Sequence, residues 1–477
     1  MEALSTIKVT PANWLGERDS VAPTEIDDAE WVEGRNVDSH PCKRRGGEVQ
    51  EALVEGGVTI RAVRAYRRPD GTRHRVQFTS SGYLWDDSSA VYSGMAGSSF
   101  PLIVPGPGFA CIFTGVDRAK WRDPADGIWK DMNLPTGWIP QYATMHPLNR
   151  RLYVAPTSLG VDGFGWSNPD FTHASLSFVS AGGGGSEPIG GNRQPITGLA
   201  AGLGDDLCIF TADEVYQVRG LDPGTWRTRY VSGDIGNTAK RALVNIGHGI
   251  FFVHYSGAYL VNALGAVTFP PLTEPKQRAW RAMVNSYGAY LQYAHAIWSA
   301  NEHTIYLFIP TSSTDVMGQL WKFYLPDSSI SIHDVTAYCS GYESPNKVLV
   351  GKTNGILANL FSGTTDLGVG YTGYFKTKIY GEIGKTKTWG TQEKFIVLFR
   401  PQAGSSATVT PYIYRDGAAN PIAGISQVVS LDTTGDVVRA SLVLPTDQGW
   451  GFQLMISGVS AWEFIGFEIA AMEQDIE

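Results

Sequence analysis

The fragment Gly384-Lys385-Thr386 has the ending of a phosphate-binding loop. That chemistry needs G-x-x-x-x-G-K-[ST] between a buried strand and a helix, so that backbone N–H groups cradle the phosphates. Position 379 is Ile where the first glycine should stand, and no helical pattern follows. The run Gly182–Gly185 fails the dinucleotide test in the same way, because no strand–helix–strand unit surrounds it. Nine histidines are present. None forms an i, i+4 helical pair, and His248 and His254 flank the apolar run Ile250–Val253, which suits strand-end histidines better than metal ligands. No G-x-S-x-G nucleophile elbow occurs. The expectation is no enzyme: no catalytic residues, no metal ligands and no cofactor.

Two stretches approach the Asp-box turn S-x-D-x-G-x-T-W that some propeller hydrolases carry. Ser313 to Trp321 has one residue too many between Asp315 and Gly318, and Asp222 to Trp226 has one too few between Gly224 and Trp226. Both read as turns followed by an aromatic anchor. A glycoside hydrolase would add paired carboxylates in a central pocket, which spacing alone cannot reveal.

These residues must be carried by elements, and the composition says which kind. Glycine reaches 55 residues and aromatics 12%, while charged residues are only 18% of 477. Glycine supplies tight turns and aromatics favour pleated, half-buried surfaces, so short strands are expected. Cys42, Cys111, Cys208 and Cys339 lie far apart without a C-x-x-C, which fits neither a zinc site nor a disulfide framework. The net charge is −8. The short basic runs Lys43–Arg45 and Arg61, Arg64, Arg67, Arg68 read as solvated faces rather than a nucleic-acid grip. No apolar stretch approaches the ~20 residues of a membrane span, and the first residues do not read as a signal peptide.

Apolar runs recur at Arg73–Phe78, Ala110–Phe113, Arg151–Val154, Leu207–Phe210, Ile250–Val253, Thr304–Ile309 and Lys347–Val350. Many are followed by a turn and a second short strand, as in Gly82–Trp85, Glu214–Tyr216 and Gly318–Trp321. A small twisted sheet cannot cover its own faces, and radial packing of several such sheets does so. The pattern predicts an all-β chain: an N-terminal arm and platform segment over 1–54, a β-propeller of five to seven blades over 55–365, and an antiparallel sandwich-like platform over 366–477. One or two sandwiches are the alternative for the middle segment. A single helix is expected from Thr273-Glu-Pro275 to about Tyr290, inserted on a blade.

Within Trp14–Glu48, the elements Asn36-Val37-Asp38, Arg44-Arg45 and Gly46-Gly47 resemble the opening of tail hub, or nozzle, proteins of short-tailed bacteriophages. Ile196 to Val218, Gly233–Gly236, Gly249–Phe252, Ser256–Tyr259 and Ala294–Leu325 are similar to that family's blades. The resemblance implies a structural virion protein, made in the host cytoplasm and placed in the virion tail. It implies a homo-hexameric ring below the portal and adaptor, closing the channel and passing double-stranded DNA at ejection. Partners would be the adaptor (head-to-tail connector), tail fibre or spike, and needle proteins. The terminal segments would form the ring, with Trp31, Asn36, Asp38, Arg44, Arg45 and Gly46 as the candidate assembly element. Another phage tail or baseplate β-protein, or a propeller glycoside hydrolase, are the alternatives.

Overall fold

The computed structural model describes residues 4–11, 14–39, 41–169, 176–189, 194–204, 206–220, 222–344, 347–381, 387–389, 395–415, 421–432, 435–442 and 447–473. Within these the chain is a seven-bladed β-propeller joined to a two-sheet platform.

Each of the seven apolar runs of the sequence becomes the second strand of a blade. In blade two, Phe109–Phe113 lies between Leu102–Gly106 and Lys120–Arg122 in a four-stranded antiparallel sheet. All five of its residues are buried. Successive side chains of a strand point to opposite faces. Ala110 and Ile112 therefore pack towards blade one, while Phe109, Cys111 and Phe113 pack towards blade three. Blade four repeats the device: Leu207 and Ile209 face blade three, and Cys208 and Phe210 face blade five. This explains why such strands read as continuous apolar runs. All four cysteines are buried and unpaired.

Blade five has three strands, with Val267 bridging back to Val261. Blade seven is completed from far away in sequence. Its strands Cys339–Ser344, Lys347–Gly351 and Ile356–Gly363 are followed by Gly47–Leu53, paired antiparallel to Ile356–Gly363. The innermost strands then meet in a closed circle, blade seven's Cys339–Ser344 lying against blade one's Ile60–Arg67. The last strand of the stretch assigned to the arm therefore belongs to the propeller.

The helix Gln277–Tyr287 follows a 3-10 turn at Glu274–Lys276 and is inserted between blades five and six. Trp280 anchors it, fully buried, donating Nε1–H to the Tyr255 carbonyl at 2.9 Å.

The platform is built from both ends of the chain. One sheet contains Leu4–Val9, Phe395–Phe399, Phe464–Glu473 and Val438–Ser441. The other contains Glu30–Arg35, Gly373–Thr377, Gly451–Gly458 and Ser406–Tyr414. An aromatic core fills the space between them: Trp31 lies 5.3 Å from Phe375, and Phe375 lies 5.4 Å from Phe464. The second sheet does not stop at the platform. Gly16–Glu17 pairs in parallel with both Ser329–His333 of blade six and Glu30–Arg35, making one twelve-stranded sheet across the two bodies. Gly16 has φ +92°, and a Cβ there would stand 2.3 Å from the Ile330 carbonyl oxygen, so only glycine fits this crossing.

Candidate assembly site

The candidate assembly element lies where the propeller meets the platform. Asn36 separates the strand Glu30–Arg35 from Val37–Ser39 and takes φ +59°, a region that asparagine tolerates better than most residues. Its backbone N–H donates to the Ile332 carbonyl at 2.9 Å. Its Oδ1 accepts from the Asp334 backbone N–H at 2.9 Å and from Arg45 Nε at 3.0 Å, and Nδ2 donates to the Thr372 carbonyl at 3.2 Å. One side chain thereby fastens the N-terminal segment, blade six and the platform strand that follows.

Arg45 is 1% exposed. It donates to Asp366 Oδ1 and the Gly46 carbonyl, both at 2.9 Å, and to the Asp334 carbonyl at 3.2 Å, with its guanidinium 4.0 Å from the centre of the Tyr371 ring. Arg44, also buried, covers the same ring at 3.8 Å and donates to the Thr364 and Tyr371 carbonyls at 3.0 and 3.1 Å. Gly46 sits so close to blade seven that a Cβ would meet the Phe361 carbonyl oxygen at 2.4 Å. Asp38 accepts from Lys322 Nζ at 2.9 Å and lies 3.5 Å from His333 Nε2. Burial alone would raise the Asp38 carboxyl, but the Lys322 ammonium, by charge and hydrogen bond, leads the groups that outweigh it and hold it below its ordinary range. Burial pushes His333 down to about 3, so it is neutral at ordinary pH. Trp31 belongs to the platform core.

A second set of contacts ties the N-terminal segment to the inserted helix. Lys276 donates to Glu17 Oε1 at 2.6 Å and lies 3.2 Å from Asp19 Oδ2. Asp19 accepts the backbone N–H groups of Arg278 and Ala279 at 3.2 and 3.0 Å, placing a negative charge at the helix start. Burial raises the pKa of Glu17 despite the opposing pull of Lys276 and Arg35.

One sequence expectation changes here. Arg44 and Arg45 do not form a solvated face: stacking on Tyr371, carbonyl acceptors and Asp366 make burial tolerable for them. Within one chain the candidate assembly side chains join the N-terminal segment to the propeller and the platform. Their partners Lys322, His333, Asp334, Asp366 and Tyr371 lie about 300 residues away and carry no local signal.

The other motifs take structural roles. Trp321 is buried and donates to Gln319 Oε1 at 2.7 Å, while Asp315 pairs with Arg61 at 3.2 Å. Trp226 packs edge-on against Trp166 at 4.5 Å. His254 bonds Ser256 at 2.7 Å, and His248 is exposed. Gly384-Lys385-Thr386 and Gly190-Gly191 lie outside the described residues. Among the described residues one group, His74, Asp86 and Asp87, brings potential metal-ligand atoms within 4.8 Å of one another. Asp86 there already accepts from Tyr66 at 2.8 Å and Arg68 at 3.1 Å. No helix among the described residues is long and apolar enough to cross a membrane.

Fold and junction together define the class: an all-β, two-body protein in which a closed propeller is fastened to a β-sandwich platform. No protein-family profile matches the chain, and no curated protein matches it. Among solved structures it is similar to a streptogramin B lyase, with a TM-score of 0.41 and 11% identity, over 66% of this chain and 96% of that one. The propeller assignment rests on the strand order itself.

Proposed function

We propose that this chain is a non-catalytic structural component of a bacteriophage tail, a hub or nozzle subunit that forms a ring beneath the portal and adaptor. The observation that carries this reading is the sheet running unbroken from blade six through Gly16–Glu17 into the platform. With the Arg45 and Lys276 networks it makes propeller and platform a single stiff body, as a load-bearing channel part requires. The resemblance of Asn36–Asp38 and Arg44–Gly47 to tail hub proteins points the same way. Ring contacts fall to the outer edge of the platform. There Gln427–Ser430 and Val438–Ser441, edge strands of the two sheets, follow one another in sequence. Ile425 and Val428 beside them are 71% and 70% exposed. Such an apolar edge suits a repeated head-to-tail contact with a second copy.

Native mass spectrometry and negative-stain imaging of the purified chain, alone and with the phage adaptor, test the proposal. Sixfold rings on the adaptor are expected. A chain that stays monomeric on the adaptor, or that is missing from purified virions, refutes it. A ring of another order on a baseplate moves the chain to a different tail position.

A further inference from the structure

The axis of the propeller is charged in a way the fold does not require. A cavity of about 200 Å³ lies there, walled by residues from all seven blades. Among the described residues its wall holds Arg64, Lys240 and Arg241 and no Asp or Glu. The cavities that flank it share Lys240 at one side and Arg64 at the other, and neither has a carboxylate among its described wall residues. In a chain whose net charge is −8, three cations line this axis with no carboxylate among the described wall residues, and Asp315, which pairs with Arg61, reaches Arg241 only at a distance.

The three are held differently. The Arg241 guanidinium is fixed by backbone carbonyls, donating to Tyr338 at 2.9 Å, to Arg61 at 3.3 Å and to Tyr293, and lies 4.6 Å from the centre of the Phe100 ring. Neighbouring Arg61 is already matched by Asp315. Burial alone lowers the pKa of Arg64. Burial, with Arg241 adding to it, lowers Lys240 to about 8. All three side chains are half-buried, and a charge partly withdrawn from water without a partner is costly and is normally matched by an anion. A water takes up about 30 Å³ of liquid, so the cavity has room for roughly six waters or one small tetrahedral anion with a short substituent. Arginine forks and a lysine ammonium are the usual partners of phosphate oxygens.

We propose that the axial cavity of the propeller is a binding site for a small phosphate-bearing anion, held by Arg64, Lys240 and Arg241. Arg241 is pre-set by its carbonyls, and Arg64 and Lys240 close on the ligand from the two sides. The site is independent of the tail reading and stands whether or not the chain forms a ring.

Isothermal titration of the full chain with inorganic phosphate, glycerol 3-phosphate and sulfate tests this in phosphate-free buffer. Saturable one-to-one binding is expected. R64Q and K240Q should each weaken it about tenfold or more, the size of a lost charge-assisted bond. R281Q, which removes an exposed helix arginine, should leave it unchanged. Tighter binding of glycerol 3-phosphate than of phosphate would mark a monoester as the ligand, and the reverse the free ion. A readout without variants is reductive methylation of the wild type followed by mass spectrometry, where 10 mM phosphate (roughly, by the weak-site affinity scale) should slow modification of Lys240 selectively. No saturable binding by the wild type, binding that survives loss of both Arg64 and Lys240 charges, or a Lys240 methylation rate indifferent to phosphate overturns the proposal.

Discussion

Replacing Arg45 by Met keeps the length of the stem and removes the charge and every donor. The structure sets the size of the effect. Arg45 makes an ion pair with Asp366 and hydrogen bonds to Asn36 Oδ1 and the Gly46 and Asp334 carbonyls, with its side chain fully buried. Charge-assisted bonds contribute about 1.5–3 kcal/mol, and breaking a buried pair from one side costs about 3–5 kcal/mol. Asp366 is 24% exposed at its side chain and regains some water, so the expected loss lies near the lower end, about 3 kcal/mol. Because the pair joins the segment entering blade seven's outer strand to the segment leaving that blade, D366N on its own should cost less, and the two changes together should fall short of their sum by about 1 kcal/mol or more. Urea unfolding followed by tryptophan fluorescence, with unfolding rates where refolding is incomplete, gives the cycle. A cost below about 1 kcal/mol, or strict additivity, would refute the claim that this pair fastens the N-terminal segment to the chain leaving blade seven.

G16A should be among the most damaging single-methyl additions in the chain, because the Cβ collides with the Ile330 carbonyl at φ +92°; loss of cooperative unfolding, read as separate platform and propeller transitions, checks it. Lys240 has its folded pKa depressed to about 8 by burial, so the unfolded chain binds more protons above that pH; in phosphate-free buffer stability should rise between about pH 8 and pH 10.5, by at most about 3 kcal/mol, and K240M should flatten this slope in pH-dependent urea melts. W31A should cost about 3–5 kcal/mol by emptying the platform core while leaving phosphate binding intact, which separates fold damage from the axial site in paired melting and titration experiments. V428D on the exposed edge strand should change monomer melting by less than about 0.5 kcal/mol, yet abolish ring formation on the adaptor in negative stain.

The blades were legible because their second strands are buried on both faces and therefore read as short apolar runs: seven runs, one for each blade. The count could still not be fixed from them. Blade three's Gly163–Trp166 has no strong strand pattern, and blade two's third strand, Lys120–Arg122, is only three residues long. The helix announced itself through Thr273-Glu-Pro275 and the spacing of Trp280 and Met283. What stayed hidden was long-range partnership. Gly47–Leu53 reads as an ordinary piece of a polar arm, since nothing local records a ladder with Ile356–Gly363. Asp38, Arg44 and Arg45 stood out as residues, but their burial depends on Lys322, Asp366 and Tyr371. Arg64 reads as part of a solvated run for the same reason: it shares a cavity with Lys240 and Arg241 only after seven strands have closed a circle.

The origin of blade seven's outermost strand sets a timetable for biogenesis. Gly47–Leu53 leaves the ribosome early, and its partner Ile356–Gly363 comes roughly 300 residues later. At about 5–20 residues per second this leaves an unsatisfied ladder edge waiting for about 15–60 s. Until then every intermediate is an open arc with two bare ends, prone to pair with another nascent chain. A ring-shaped protein of this kind should depend on chaperone occupancy during translation far more than on the stability of its finished form.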